Sequence, residues 1–150
     1  MKLIALLSAA LSALSALSAL LLIGCQQLTI SQYDPITDQQ VTKLQQDDTD
    51  LFITLQQNIG PDFQSKTFQP IYDKIEGEIQ SLRLRVNAIP NISLTAQQVD
   101  LLQQDFDLTQ QILKDSKNIS TTDLIVMQNA LDRIYGAILK LELAKKNMRT

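Results

Sequence analysis

Histidine is absent from all 150 residues, which removes the side chain that most often acts as a general base or a transition-metal ligand near neutral pH. A His-based triad and a histidine zinc site are thereby excluded. A single cysteine, Cys25, leaves no disulfide framework to brace the chain, so stability has to come from packing. Basic residues are not in excess: 13 Lys+Arg against 16 Asp+Glu give a net charge of −3, which argues against a nucleic-acid partner. Alternating strand patterns are scarce as well, and long stretches repeat with helical spacing instead. A reaction run by carboxylates alone would fall to Asp47, Asp48 and Asp50, the densest acidic cluster. They lack a partner cation and metal-ligand spacing, and read as a solvated helical face. No catalytic residue, metal site or cofactor is expected.

What is present begins with MKLIALLSAALSALSALSALLLIGC, in which one lysine precedes a run from Leu3 to Ile23 made only of Leu, Ile, Ala and Ser. That pattern predicts a secretory leader over residues 1–24. The run is also just long enough to span a bilayer, so an uncleaved anchor is the alternative; the repeated Ser-Ala-Leu triplets lower its hydropathy and favour cleavage. Leu22-Ile23-Gly24-Cys25 resembles the lipobox of bacterial lipoproteins. The resemblance implies cleavage after Gly24, diacylglyceryl transfer to the Cys25 thiol and acylation of the new amino group. Two or three acyl chains would hold the protein firmly to a membrane. Gln26 stands where an aspartate would resemble an inner-membrane retention signal, which points to the periplasmic face of an outer membrane. Residues 25–36 read as a lipidated tether spanning at most about 35 to 40 Å. The combination of Tyr33-Asp34, Thr37 and the leucine-containing helix behind them resembles small helical lipoproteins of proteobacteria whose function is unknown.

The rest, residues 37–150, reads as one domain that says the same thing twice. TDQQVTKLQQD from Thr37 returns 58 residues later as TAQQVDLLQQD from Thr95, identical at eight of eleven positions. Each copy looks like a helix start: Thr37 or Thr95 as N-cap, Gln40 or Gln98 reaching back, and Ile36 with Val41 or Leu94 with Val99 as a hydrophobic staple. Behind them run the stripes Val41, Leu44, Asp48, Leu51, Leu55 and Val99, Leu102, Phe106, Thr109, Leu113. A second helix starts near Phe68 with Pro70 in its first turn, carries Tyr72, Ile75, Ile79, Leu82, Val86 and Ile89, and ends at Pro90. The fourth opens on a Ser120–Asp123 capping box and carries Leu124, Met127, Leu131, Ile134, Ile138 and Leu141. Lys145, Lys146 and Arg149 near its end complement the helix dipole. YDKIEGEIQSLRL from Tyr72 matches LDRIYGAILKLEL from Leu131 in six of thirteen places. The predicted fold is therefore all-α: an antiparallel four-helix bundle, read as a duplicated helical hairpin, with chance likeness of glutamine-rich helices as the alternative.

Three features bear on function. Asp48 breaks an apolar stripe where its counterpart is Phe106; the expectation is that Phe52 replaces it in the core and Asp48 turns to the rim, unless it pairs with a cation of a partner. Gly77 and Gly136 lie on the far side of their helices from the stripes, as inherited residues or as points where a partner helix approaches closely. Leu101, Leu108, Ile112, Ile125, Leu139 and Leu143 widen the apolar faces and are expected to be buried. The functional expectation is a non-enzymatic lipoprotein, bound to the membrane through Cys25, that presents a helical bundle to an envelope protein. A carrier holding an apolar ligand between the helices is the alternative.

Overall fold

Asp34 starts the folded domain. Its backbone is extended, and its carboxylate accepts from the amides of Ile36 and Thr37 at 3.3 Å each, satisfying donors that an opening helix leaves orphaned. Pro35 follows at the first helical position, where a missing amide costs nothing. Helix α1 thus runs Pro35–Gln57 and ends at Asn58, whose side chain donates to the Thr54 carbonyl. A 3-10 turn, Ser65–Phe68, leads into α2, Gln69–Ala88, with Pro70 in its first turn as predicted. Then come α3, Leu94–Asp115, and α4, Thr121–Asn147. The computed structural model describes residues 32–59, 65–90, 94–116 and 118–148. Cys25 and the lipobox, like Gly60, Pro61 and Arg149, lie outside the described residues, so the leader and lipid expectations rest on sequence. Among the described residues, no helix is long and apolar enough to cross a membrane.

The helices form a ring in which α1 packs on α2, α2 on α3, α3 on α4, and α4 closes on α1. Neighbours run antiparallel: Asp34 at the start of α1 meets Arg85 at the end of α2, and Thr95 at the start of α3 meets Glu142 and Lys145 at the end of α4. This is the four-helix bundle expected from the stripes. Val41, Leu44, Leu51, Leu55, Tyr72, Ile75, Ile79, Leu82, Val86, Val99, Leu102, Phe106 and Leu113 are all buried, each contributing about 1.5 to 3 kcal/mol for the larger side chains. The two halves keep the same register, with Thr37, Val41, Leu44 and Leu55 matched by buried Thr95, Val99, Leu102 and Leu113. Gln45 on α1 reaches Asp132 on α4, and its counterpart Gln103 on α3 reaches Gln80 on α2. The two contacts join equivalent helix pairs when the α1–α2 hairpin is laid on α3–α4.

Several details differ from expectation. Thr37 and Thr95 are not caps; they are buried as the third residue of α1 and the second of α3, and the amide oxygens of Gln40 and Gln98 are buried without partners rather than serving a capping box. Ile36 is exposed, so its staple does not form. The Ser120–Asp123 capping box is present as predicted, with Ser120 accepting from the Asp123 amide at 3.1 Å and Asp123 accepting from the Ser120 amide at 2.9 Å. The α4 face is turned relative to its predicted stripe. Leu124, Leu131 and Ile138 are buried, but Met127, Ile134 and Leu141 are only partly so, and Tyr135, Glu142 and Lys145 take core positions. Lys145 therefore serves the interior rather than the exposed end of the helix.

Asp34 joins the cap to the bundle. Its oxygens take a two-pronged contact from Arg85, Nε at 2.6 Å and Nη2 at 2.9 Å, and a hydrogen bond from the Thr37 hydroxyl at 2.7 Å. The Arg85 guanidinium holds this carboxyl well below the usual carboxylate range, with Thr37 adding to the effect. Asp34→Ala should lower stability by about 2 to 3 kcal/mol at pH 7, combining a lost cap with a lost charge-assisted pair. Because the folded-state pKa is depressed, this contribution is present above the unfolded value of about 4 and fades as pH falls toward the folded one. Urea unfolding at pH 7 and pH 2.5 checks it: the gap between parent and variant should shrink at the lower pH.

Candidate functional site

Two groups of polar side chains sit where the stripes predict only packing. The first lies at the end of the bundle where α1 begins. Thr95 donates to Glu142 Oε1 at 2.8 Å, and Lys145 Nζ donates both to the Thr95 hydroxyl and to Glu142 Oε1 at 2.6 Å each. All three are buried. A lysine inside a helical core needs such a counter-charge, because an unpaired ammonium there would cost several kcal/mol. Beside this triad, Tyr33 donates to Asp38 at 3.0 Å, and its ring lies 5.8 Å from Lys146 Nζ. Together with the Asp34–Arg85 pair, these contacts fix where the chain enters the domain.

The second group crosses the middle of the bundle. Asp48 on α1 is 2% exposed, and Phe52 is fully buried as well. The rim position expected for Asp48 is therefore wrong: Phe52 joins the core without displacing it, since four and seven residues after Asp48 the buried Phe52 and Leu55 hold that whole face inward. Asp48 Oδ1 has no hydrogen-bond partner, and neither do the hydroxyls of Tyr72 on α2 and Tyr135 on α4 or the amide nitrogen of Gln110 on α3. Each helix thus contributes an unpartnered buried polar atom to this group, besides those of Gln40, Gln98, Asp105 and Glu142 elsewhere. Burial pushes the Asp48 carboxyl up to about 7, and Asp132 on α4 and Asp105 on α3 push in the same direction. Burial raises Tyr72 to about 12, and burial followed by the nearby carboxylates, Asp48 first, raises Tyr135 further. The neighbouring cations do not compensate: Lys43 and Lys74 both bind Asp47 at the surface, at 2.7 and 2.9 Å, and Lys43 also binds Glu78. The acidic cluster Asp47, Asp48 and Asp50 is accordingly split among an ion-pair network, the core and an exposed position.

The buried Asp48 carboxyl influences the Tyr135 phenol electrostatically, and no hydrogen bond joins the two. No group of three or more His, Cys, Asp or Glu that could hold a metal occurs among the described residues. The glycines do not mark close helix contacts: a Cβ on Gly77 or Gly136 would meet nothing within 4 Å. Nor do most of the widening residues pack inward. Leu101, Leu108, Ile112, Ile125 and Leu143 are exposed, and only Leu139 is partly buried against the core. Sequence pattern missed Tyr135, Glu142 and Lys145 because a polar residue on a helix reads as surface unless its partner across the bundle is known. Compared with protein-family models, curated proteins and solved structures, the chain finds no match in any of the three.

Two outcomes follow from these placements. For Asp48, the raised pKa means that its contribution to stability is fully present below the unfolded value near 4 and is lost as pH rises toward 7. Asp48→Asn removes that slope. The stability of the variant relative to the parent should grow by up to about 4 kcal/mol between pH 4 and pH 8, whatever constant offset the buried amide brings. Denaturant unfolding across that range checks it, and parallel profiles would show that Asp48 ionises freely. For the glycines, Gly77→Ala and Gly136→Ala should each stabilise the fold by about 0.5 to 1 kcal/mol, read as a rise in thermal midpoint.

Proposed function

We propose that this protein is a lipid-anchored envelope protein whose helical bundle serves as a docking module for another protein, without catalysis. The observation that carries the reading is the outward placement of large apolar side chains: Leu101, Leu108 and Ile112 on α3, and Ile125, Val126 and Leu143 on α4. Apolar surface turned to water in this quantity on two adjacent helices fits an interface better than an isolated domain. The lipobox-like Leu22-Ile23-Gly24-Cys25 supplies the anchor. The contacts of Tyr33 and Asp34 support a short tether that joins the bundle at one fixed point.

The carrier alternative is less well supported. The largest side chains of the interior, Tyr72, Tyr135, Phe52 and Phe106, fill the bundle, and of the residues that would have lined a widened chamber all but Leu139 face out. Grooves of about 180 Å³ beside Gln40, Lys43, Leu44, Glu78 and Ser81 and of about 370 Å³ beside Gln45, Gln46, Thr49 and Asp50 lie on the outside of the bundle rather than between its buried stripes, and the second is lined by polar side chains, unlike the apolar pockets that hold apolar ligands.

The full-length chain provides the test. Intact mass of the membrane-extracted protein should show loss of residues 1–24 and addition of two or three acyl chains. Cys25→Ser should retain the leader and carry no lipid. In-cell cross-linking should then yield a reproducible adduct with one other envelope protein that Cys25→Ser loses. An unacylated parent would remove the anchor, and absence of any protein adduct would remove the docking role.

A further inference from the structure

The chain enters the domain at one pole of the bundle, where Arg85 holds Asp34 and Tyr33 donates to Asp38. Cys25 stands eight positions before Tyr33, so the lipid attachment point expected from the lipobox lies at most about 29 Å of extended chain from this pole. Every helix turns a large apolar side chain to solvent near the entry. Ile36 on α1 is 46% exposed, Leu84 on α2 75%, Leu101 on α3 54% and Leu143 on α4 57%. Cross-helix pairs set their heights: Asp34–Arg85 brings Ile36 level with Leu84, Arg83–Asp100 brings Leu84 beside the turn of α3 that holds Leu101, and Thr95–Glu142 places Leu143 near the start of that helix. At 1.5 Å per residue the four lie within roughly 10 Å of one another along the axis. Met148, which caps α4 at the tip, is 66% exposed. Leu84 and Met148 are the most exposed of the large apolar side chains described, and with Ile36 they lie outside the α3 and α4 set assigned above to protein docking.

Charge follows the same division. Each carboxylate described at the entry pole has a partner within the domain: Asp34 is held by Arg85, Asp100 by Arg83 and Glu142 by Lys145, and Asp38 accepts from Tyr33. Lys140 and Lys146 are exposed there, Lys146 over the Tyr33 ring. At the other pole Asp50, Asp115 and Asp123 are exposed, against Lys66 and Lys114. The end nearer Cys25 thus shows cations and apolar side chains, and the end farther away shows an excess of carboxylate.

We propose that the entry pole is a membrane seat: the bundle stands upright with Ile36, Leu84, Leu143 and Met148 in the headgroup layer of the bilayer that holds the Cys25 acyl chains, and with Lys140 and Lys146 against lipid phosphates. Apolar side chains gain by leaving water for the acyl boundary over a depth of about 5 to 10 Å, which matches the spread of these residues along the axis. Exposed lysines gain from an anionic leaflet, and carboxylates already held by their own cations oppose the approach little. The upright placement follows from the ring. Helices α2 and α4 are opposite corners, each packed on α1 and α3 and not on the other, so Leu84 and Leu143 reach one flat surface together only through the pole. The inference rests on the lipid anchor proposed above, and it leaves Leu108, Ile112, Ile125 and Val126 clear of the lipid for a protein partner.

Full-length protein extracted from membranes and rebuilt into vesicles of equal parts phosphatidylethanolamine and phosphatidylglycerol provides the test, with intact mass reporting the acyl chains. Leu84→Cys, Leu143→Cys and, toward the far pole, Val126→Cys each take an environment-sensitive nitrobenzoxadiazole label, the Cys25 thiol being blocked by its lipid. Labels at positions 84 and 143 should emit at shorter wavelength than the label at 126, and lipids carrying a headgroup spin label should quench them several-fold more. Lys140→Glu combined with Lys146→Glu should lower the quenching at position 143, with circular dichroism unchanged. Acylated, vesicle-bound protein whose labels at 84 and 143 stay in water would overturn the seat and leave the anchor standing. Equal quenching at all three positions, or quenching at only one of the first two, would overturn the upright placement. Short-wavelength emission without quenching by lipid would mean that a second copy of the chain covers the pole, and would overturn lipid as the occupant. An unacylated chain that stays free of vesicles would defeat anchor and seat together, whereas an unacylated chain seated through positions 84 and 143 would remove the anchor alone. Quenching indifferent to the lysine substitutions would overturn their role.

Discussion

Each helix of this protein carries one face that water rejects, and none can bury that face alone. Helices of about 20 residues are marginal in water without tertiary packing, and with no disulfide to hold them the four must close their faces against one another at once. The ring achieves this because neighbours run antiparallel, so every stripe meets two others along its length. Everything else is fitted round that closure. The cap at Asp34 also clamps α2 through Arg85, and the Lys145 ammonium is tolerable inside because Glu142, one helical turn away, and Thr95 on α3 arrive with it.

The repeated phrase has its physical meaning here. Thr37 and Thr95 are equivalent in the two halves, as are Gln45 and Gln103, and in both halves the threonine faces inward at the start of the hairpin while the glutamine bridges to the helix of the other half. The halves then part company. Phe106 occupies the place of Asp48, and Gln110 that of Phe52, so aromatic and polar groups trade heights across the bundle. The unpartnered layer of Asp48, Tyr72, Gln110 and Tyr135 arises where the copies differ. A polar core layer of this kind weakens a bundle while opposing sliding of one helix past another, because each alternative register would bury the same groups beside pure hydrocarbon.

The fold was legible because period is robust. A stripe needs only the right spacing: α1 and α3 bury every residue that spacing selects, and α2 all but Ile89, which stands past its end. What spacing does not contain is the partner. Spacing put the cap at Thr37, whereas Asp34, three residues earlier, takes that place with its carboxylate held by Arg85, 51 positions away. Tyr135, Glu142 and Lys145 look like surface until α3 is placed against them. Asp48 looked like a residue that must escape to water, but burying a carboxyl is tolerable when it keeps its proton, and nothing local announces that. Leu101, Leu108 and Ile112 fit a wide buried face by hydropathy. Only the ring geometry, which leaves each helix a single inward side, turns them out.

The pairing of α1's start with the ends of α2 and α4 places the entry of the chain, the α2–α3 turn and Asn147 at one pole of the bundle. The α1–α2 and α3–α4 turns stand at the other pole, about 30 to 35 Å away along helices of this length. A group joined after Asn147 would therefore lie at the same pole as the point where the chain enters the domain, close to Tyr33 and Arg85. A reporter inserted between Asn58 and Ser65, or beside Asn118, would ride at the far tip in open solvent.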